Sequence, residues 1–369
     1  MDFKPLSSWF GTTATPFLIA GPCGAESFEQ LDETVSRLKA SVAPQLVRAG
    51  VWKPRTRPDS FEGKGEEALM WLRDIRQRYQ LPITVEVANP KHVELALQYG
   101  VDVLWIGART TVNPFSVQEI ANALTGVKVP VMVKNPVHAD LQLWIGAIER
   151  LHRAGISQMA AIHRGFHRYG FSSYRNDPMW SLPIELRTQL PTLPIICDPS
   201  HIAGKRSLVA EIAQKGLDLG FDGLMIESHY RPDEALSDAA QQLVPEDLAA
   251  LLSNLVIRSN KGMYDSANAL VELRQAIDDI DLDILRALSK RQEIIEKIAY
   301  HKANKQMTIF QLERWQEILR TRGQWADKLG ISRTHVEKLC QLLHEESIRL
   351  QNLSMNDQAD VQDGRRTNA

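Results

Sequence analysis

The chain has 369 residues, more than one hydrophobic core usually organises, and this length predicts two domains. Lys and Arg (43 together) almost balance Asp and Glu (45), and the net charge of −2 excludes a global positive field for binding nucleic acid or anionic membranes. With no apolar run as long as a membrane span, no signal-peptide pattern and only three scattered cysteines, the sequence predicts a cytoplasmic protein.

Eight short apolar or β-branched runs alternate with amphipathic stretches in the first two thirds of the chain. The runs cover residues 17–23, 45–53, 82–87, 103–109, 129–135, 159–164, 194–198 and 223–228. Helical stretches between them include residues 65–79, 92–99, 117–124, 141–153 and 207–219. This alternation predicts an α/β fold, a closed (β/α)₈ TIM barrel, over residues 1–254. A doubly wound open sheet is the alternative, but the first strand lacks the G-x-G-x-x-G turn that follows it in that fold.

Reactive side chains follow nearly every run, and a parallel barrel places all strand C-termini on one rim. One group combines a thiol, an imidazole and carboxylates: Cys23, His201, Glu227 and Asp238. A mixed sulfur, nitrogen and oxygen set suits Mn, Fe, Co or Zn better than Mg or Ca. Simple burial of Cys23 in the core and capping of a loop by His201 are the alternatives.

A second group at the strand ends is cationic: Arg48, Lys53, Arg55, Arg109, Lys134 and Arg164. Surface salt bridging is the alternative for any single member. Six cations around one rim repel one another unless anions bind there, and the arginine fork suits carboxylate and phosphate. A metal beside them supplies a Lewis acid for a carbonyl. The residues alone therefore predict metal-assisted formation or cleavage of a carbon–carbon bond in phosphorylated small molecules.

Seven ordered motifs in the barrel segment carry a family resemblance. They are Gly21-Pro22-Cys23, Lys53-Pro54-Arg55-Thr56, Ile106-Gly107-Ala108-Arg109, Lys134, His163-Arg164-Gly165, Asp198-Pro199-Ser200-His201 and Glu227-Ser228-His229. On these motifs residues 15–252 resemble the type I 3-deoxy-D-arabino-heptulosonate 7-phosphate synthases, and the compact barrel resembles their β subgroup. The resemblance implies condensation of phosphoenolpyruvate with erythrose 4-phosphate, the entry step of the shikimate pathway.

The same resemblance assigns roles to the residues at the rim. It implies metal ligation by Cys23, His201, Glu227 and Asp238. It implies that phosphoenolpyruvate is bound by Arg48, Lys53, Arg109, Lys134 and Arg164. It implies contact with erythrose 4-phosphate by Pro54, Arg55 and Thr56, with Arg55 on the phosphate. Lys53 and Lys134 are the candidate proton donors.

A sister family leaves an alternative substrate open. The 3-deoxy-D-manno-octulosonate 8-phosphate synthases share the barrel and the phosphoenolpyruvate half, but typically carry Lys-Ala-Asn-Arg-Ser where this chain has residues 53–57. Arg55 and Thr56 favour the shorter sugar phosphate, and Cys23 in place of asparagine favours the metal-dependent chemistry.

The pattern changes after Leu252. Residues 255–266 read as a linker, residues 267–352 as an all-α helical-bundle domain, and residues 353–369 as a polar, disordered tail. Apolar residues from Leu270 onward predict a helix of about 35 residues, followed by helices near 309–322 and 333–352. A buried stripe of that length requires a second chain, so this domain is expected to form a homodimer.

Residues 267–352 resemble the all-helical chorismate mutases, which rearrange chorismate to prephenate. The likeness rests on residues 270–281, Arg291-Gln292-Glu293, Lys302 and the stretch from Glu346-Ser347 to Gln351. It implies carboxylate binding by Arg291 and Arg314, and by Arg274 in the partner subunit's site. It implies that Lys302 and Gln351 contact the ether oxygen, and that Ser347 lies beside them. Cationic donors of this kind stabilise the charge that separates in the breaking C–O bond.

The mutase segment departs from the family at two positions. Gln311 and Trp315 stand where the family often has carboxylates that meet the substrate hydroxyl. Gln311 retains hydrogen-bonding capacity, whereas Trp315 replaces only packing. An alternative therefore keeps the synthase but makes residues 267–352 a non-catalytic sensing module. In either case the fusion predicts that prephenate or chorismate, bound near Arg291 and Lys302, inhibits the barrel.

Overall fold

The computed structural model describes residues 1–54, 60–170, 173–258 and 267–362. The chain divides into two compact units, Met1–Asn260 and Lys261–Ala369. The division falls inside the predicted linker, residues 255–266. Within the described ranges, none of the helices combines the length and apolar character needed to cross a membrane.

Eight parallel strands form the first unit. They are β1 (Phe17–Gly21), β2 (Leu46–Arg48), β3 (Ile83–Val87), β4 (Val103–Ile106), β5 (Val131–Lys134), β6 (Met159–His163), β7 (Ile195–Cys197) and β8 (Gly223–Glu227). Each strand pairs with the next in chain order, and β8 returns to β1, where Gly223 lies opposite Phe17. This closure confirms the predicted (β/α)₈ barrel and excludes the open sheet.

Helices complete the alternation. They are α1 (Ser7–Phe10), α2 (Phe28–Ser41), α3 (Glu66–Tyr79), α4 (Pro90–Gln98), α5 (Ala108–Thr111), α6 (Pro114–Ala123), α7 (Leu141–Arg153), α8 (Ser181–Gln189), α9 (Pro199–Ala203), α10 (Val209–Asp218) and α11 (Pro245–Ser253), with single 3₁₀ turns at Arg206–Leu208, Pro232–Glu234 and Ala239–Gln241. Short polar side chains fix several helix starts by accepting from N–H groups that the helix leaves unpaired. Asn89 caps α4 and Asp140 caps α7, each at 2.9 Å.

Alternate residues of each strand enter two different cores, as the two-residue period of a strand requires. Phe17 and Ile19 of β1 point into the barrel, where Trp105 and Met132 join them. Leu18 and Ala20 belong instead to the layer between the sheet and the helices. Trp9 of α1 packs edge-on against Phe17, with ring centroids 6.2 Å apart. The N-terminal end of the barrel is therefore filled, which leaves the opposite rim for chemistry.

The described part of the second unit is wholly helical, as predicted. It contains α12 (Ala267–Asn304), α13 (Leu312–Leu329) and α14 (Arg333–Gln362). The last helix extends ten residues beyond the predicted domain end at 352, so residues 353–362 are helical where the sequence predicted a disordered tail. A polar composition is compatible with an exposed helix as well as with coil, which is why composition misjudged this segment.

The bend at the end of β1 yields a stability prediction. At Gly21, φ is +150° and an added Cβ would lie 2.1 Å from the backbone oxygen of Arg48. Because backbone cannot yield as a side chain does, Gly21→Ala should lower the free energy of unfolding by about 2–4 kcal/mol, measured by urea denaturation. Gly146→Ala in α7 is the control, since nothing lies within 4 Å of its added Cβ. An unfolding free energy unchanged by Gly21→Ala would contradict the close approach of β1 and β2.

Candidate active sites in the two units

Three potential metal ligands converge at the C-terminal rim of the barrel. The ligand atoms of Cys23, Glu227 and Asp238 all lie within 4.8 Å of one another. Cys23 follows β1 and Glu227 ends β8, two strands that are paired along their whole length. Asp238 comes from the loop after β8, at a left-handed φ of +50°. Closure of the barrel therefore unites residues that are more than 200 positions apart in the sequence.

Cys23 is completely buried, and its thiol contacts two charged side chains. Its Sγ donates to Asp238 Oδ2 at 3.2 Å and accepts from Lys53 Nζ at 2.7 Å. Burial, and then the nearby Glu227 carboxylate, raises the pKa of the Cys23 thiol to about 12. A thiol in this setting becomes a thiolate when a cation binds it, so the simple core role is not what its neighbours indicate.

Glu227 has one oxygen whose hydrogen-bonding capacity is unused. Its Oε2 accepts from Gln241 Nε2 at 2.6 Å. Its Oε1 forms an ion pair with Arg48 Nη2 at 3.0 Å but accepts no aligned hydrogen bond from the described residues. A carboxylate oxygen has two lone pairs, so Oε1 can face a bound metal cation in addition to Arg48. This oxygen, the Cys23 sulfur and the Asp238 carboxylate together fit a divalent transition metal.

His201 borders this group without belonging to its tightest set. Its Nδ1 lies 3.0 Å from Asp198 Oδ1, and its Nε2 lies 3.8 Å from Glu227 Oε1. The carboxylate at Nδ1 favours the tautomer with the proton there, which leaves the Nε2 lone pair facing Glu227. The loop cap is Asp198, which accepts from the His201 N–H at 3.1 Å. His201 stays a predicted ligand.

A cavity of about 300 Å³ opens beside these residues. Its lining includes four of the predicted cations, Lys53, Arg109, Lys134 and Arg164, together with Pro54, His201 and Asp238. The Arg48 guanidinium lies over the Trp105 ring, 5.3 Å from its centre, and its Nε and Nη1 lack hydrogen-bond partners among the described residues. A second cavity of about 370 Å³, at the opposite end of the strands, contains none of these groups.

The cations differ in how they are compensated. Lys134 Nζ donates to Asp198 Oδ2 at 2.9 Å in a buried ion pair. The hydrogen bonds of Arg164 Nη1 go to neutral oxygens, at 3.0 Å on Asn176 Oδ1 and 3.3 Å on Gly165 O. Burial, opposed by Asp198 and reinforced by Arg175 and Arg109, lowers the pKa of Arg164 to about 10. A partly buried guanidinium with neutral hydrogen-bond partners favours an anion in the cavity.

Two residues of this rim escaped the sequence analysis. Arg175 donates to Asp238 Oδ1 and to Gln241 Oε1, both at 2.8 Å, and lines the cavity. Burial alone would raise the pKa of Asp238, but His201 and Arg175 hold it below its ordinary value. Asn176 orients Arg164 and donates to the His201 carbonyl at 2.6 Å. Arg175 and Asn176 lie in the loop after β6 rather than at a strand end. Two adjacent polar residues in the loop that follows Arg164 could nevertheless have indicated a binding site.

Two of the residues predicted to contact erythrose 4-phosphate lie in a short segment that the structure does not describe. Arg55 and Thr56, the proposed sugar-phosphate residues, lie outside the described residues, and their roles stay predictions. Pro54 lies at the cavity wall, next to Lys53.

The second unit gathers a separate set of polar residues. Arg291 and Lys302 of α12 are partly buried, and burial lowers the pKa of each. Lys302 Nζ donates to the Ile309 carbonyl at 2.5 Å. Ser347 and Gln351 of α14 are buried, and Gln351 Oε1 accepts no hydrogen bond within the described part of the unit. These four predicted residues occupy the facing helices α12 and α14.

The remaining predicted mutase residues do not converge in the single chain. Arg274, Gln311 and Arg314 are exposed, and Arg314 Nη1 pairs with Glu317 Oε2 at 2.6 Å. Trp315 stacks on His344, a residue that the sequence analysis did not select, with ring centroids 4.4 Å apart. His344 lies three residues before Ser347 and seven before Gln351. This spacing places the three side chains on one face of a helix, so the sequence alone could have indicated His344.

The fold and the rim define a barrel with a cation-lined cavity beside a group of potential metal ligands, followed by a helical unit with two partly buried cations. The chain belongs to the DAHP synthetase I family, whose sequence model matches residues 7–260. The chorismate mutase type II model matches residues 273–352. Both resemblances found in the sequence are thus confirmed.

Individual relatives carry the names of both sister activities. A phospho-2-dehydro-3-deoxyheptonate aldolase of Thermotoga maritima is 30% identical over 226 residues, or 61% of this chain, and the match spans 64% of that relative. A 2-dehydro-3-deoxyphosphooctonate aldolase of Syntrophobacter fumaroxidans is 27% identical over 72% of this chain and 96% of the relative. The crystal structure of the Thermotoga maritima DAHP synthase superposes with a TM-score of 0.57 at 30% identity, covering 64% of this chain and 67% of that one.

The ligand group predicts how metal binding depends on Cys23. Cys23→Ser should weaken Mn²⁺ or Zn²⁺ binding by more than about 100-fold, because a lost ligand costs more than the 10–100-fold effect of losing a group that only orients one. Equilibrium dialysis with metal analysis measures this. Cys340→Ser in the helical unit is the control and should bind metal normally. Equal metal content in wild type and Cys23→Ser would show that the Cys23 sulfur is not a metal ligand.

Proposed function

We propose that the barrel condenses phosphoenolpyruvate with erythrose 4-phosphate to 3-deoxy-D-arabino-heptulosonate 7-phosphate. The supporting observation is a single cavity lined by the cations Lys53, Arg109, Lys134 and Arg164 and by Asp238, whose ligand atom lies within 4.8 Å of those of Cys23 and Glu227. Substrates with several negative charges match the cations, and an aldehyde matches the metal-competent group.

The cations bind and orient phosphoenolpyruvate. Lys134 is held by Asp198, and Arg164 is held by Asn176, so both are fixed before a substrate arrives. Fixed cations in a buried site stabilise developing charge better than mobile ones, because they need no reorganisation during the reaction. Arg48, buried beside Glu227, contributes its positive charge from within the barrel.

A divalent transition metal (Mn, Fe, Co or Zn) would be held by Cys23, Glu227 and Asp238, with His201 as the neighbouring nitrogen donor. When bound, it would supply Lewis-acid polarisation of the aldehyde. Lys53, at 2.7 Å from the Cys23 sulfur, and Lys134 both line the cavity and are the proposed proton donors to the sugar oxygen.

The reaction balances with one water. C3 of phosphoenolpyruvate forms a bond to the aldehyde carbon of erythrose 4-phosphate, and the aldehyde oxygen takes up a proton. Water adds at C2, and inorganic phosphate leaves from the same carbon. The role of the chain is to hold the two substrates in contact and to neutralise their three acidic groups, two phosphates and one carboxylate.

We also propose that the second unit rearranges chorismate to prephenate. Arg291, Lys302 and Gln351 bring two cations and an amide to one interior, which suits a substrate with carboxylates and a breaking ether bond. The rearrangement needs no nucleophile, so residues that hold the substrate in the reactive conformation and stabilise its developing charge are sufficient.

Two copies of the chain are proposed to pair through α12. Leu273, Ile277, Ile280 and Ile284 follow one face of this helix at intervals of four, three and four residues, and each is more than half exposed in the single chain. An apolar stripe of this length is expected to be covered, and a matching stripe on a second α12 covers it symmetrically. The exposed Arg274 on the same helix then supports its predicted role in the partner subunit's site.

The free thiols Cys23, Cys197 and Cys340 support a cytoplasmic location.

Substrate choice and metal dependence test the barrel reaction together. Phosphate release from phosphoenolpyruvate should be faster with erythrose 4-phosphate than with arabinose 5-phosphate, by more than about 10-fold. Chelation should abolish it and Mn²⁺ should restore it, while chorismate consumption continues unchanged. A preference for arabinose 5-phosphate would assign the sister reaction, and a rate indifferent to chelation would reject the metal.

The mutase proposal is tested by removing either cation of α12. Arg291→Ala and Lys302→Ala should each lower kcat/KM for chorismate by at least about 100-fold, because each removes a charge-assisted contact to the transition state. Lys297→Ala, an exposed lysine of the same helix, is the matched control. A chain that binds chorismate but never converts it would instead be the sensing module.

A further inference from the structure

His344 of α14 occupies an unusual position for a histidine in a helical bundle. Its ring stacks on Trp315 at 4.4 Å between centroids and 21° between planes, and Phe310 packs against its edge at 5.7 Å. The stack fixes the plane of the imidazole and therefore the direction in which its nitrogens point. Aromatic walls of this kind hold a polar group in place rather than exposing it to water.

The Nε2 atom of His344 is buried and has no hydrogen-bond partner among the described residues. The next polar side chains along the same helical face are Ser347 and Gln351, and Gln351 Oε1 is unpartnered in the same way. Two buried polar atoms without partners on one face cost free energy unless a ligand meets them. The face therefore resembles a binding surface rather than a packed core.

The charges around His344 select the kind of group that it can meet. Burial lowers the pKa of His344, and Arg291 and Lys302 lower it further, against a smaller opposing effect of Glu345. The imidazole is therefore neutral at pH 7, with one nitrogen that donates and one that accepts. Carboxylates are already matched by the two cations, so the neutral imidazole suits an uncharged polar group.

We propose that His344 Nε2 hydrogen-bonds the ring hydroxyl of chorismate and so contributes to recognition of this substrate. A hydroxyl both donates and accepts, so it pairs with Nε2 in either imidazole tautomer. The inference rests on the proposed mutase function and assigns a residue within that site. Trp315 cannot accept a hydrogen bond from a hydroxyl, and the His344 ring that it holds in place supplies the missing partner.

The experiment compares chorismate with its analogue in which hydrogen replaces the ring hydroxyl. In wild type, kcat/KM for chorismate should exceed that for the analogue by at least about 10-fold, the effect of one hydrogen bond to a buried group. His344→Ala should lower kcat/KM for chorismate about 10-fold and leave the analogue almost unchanged, so that the preference disappears. His344→Gln, which keeps a polar group, should recover part of the preference.

Matched controls separate recognition from folding. His335→Ala changes an exposed histidine of the same helix and should leave both rates unchanged. Circular dichroism melting checks that the helices of each variant are intact. Equal losses on chorismate and on the analogue in His344→Ala would overturn the inference and reduce His344 to a packing partner of Trp315. Wild type that converts neither compound would refute the mutase function itself, which is a distinguishable result.

Discussion

Closure of the parallel barrel is the constraint on which the site depends, because it brings every strand C-terminus to one rim. Buried charges at that rim must be compensated there, since water does not reach them. Glu227 lies beside Arg48, and Asp198 lies beside Lys134. The rim is therefore a network of opposite charges, in which the Arg48–Glu227 pair joins β2 to β8 and so depends on closure of the barrel.

That compensation is incomplete in a way that suits catalysis. Glu227 Oε1 accepts no aligned hydrogen bond within the described residues, and Arg164 donates to neutral oxygens. Glu227 Oε1 favours a bound cation, and the Arg164 guanidinium favours a bound anion. A divalent metal ion and a phosphorylated substrate would supply these two charges, as the proposed condensation requires.

Residues at strand ends were predictable because the chain itself marks them: Cys23 and Glu227 follow β-branched or apolar runs, and the barrel determines where those runs end. The role of Arg175 was not predictable, because this residue reaches Asp238 from a loop whose path depends on tertiary contacts. One such contact is the close approach of the Arg175 side chain to Gly204, where a Cβ would not fit. The helical unit was predictable from its periodicity, but its end was not, since a polar sequence specifies helix and coil equally poorly. The role of His344 depends on the Trp315 stack, which no spacing within one helix reveals.

The most direct test of the central claim is X-ray absorption at the metal edge of the full chain loaded with Zn²⁺ or Co²⁺. The account predicts one sulfur scatterer at about 2.3 Å together with oxygen or nitrogen scatterers. The sulfur should vanish in Cys23→Ser. A first shell made only of oxygen and nitrogen in the wild-type protein would contradict the proposed site.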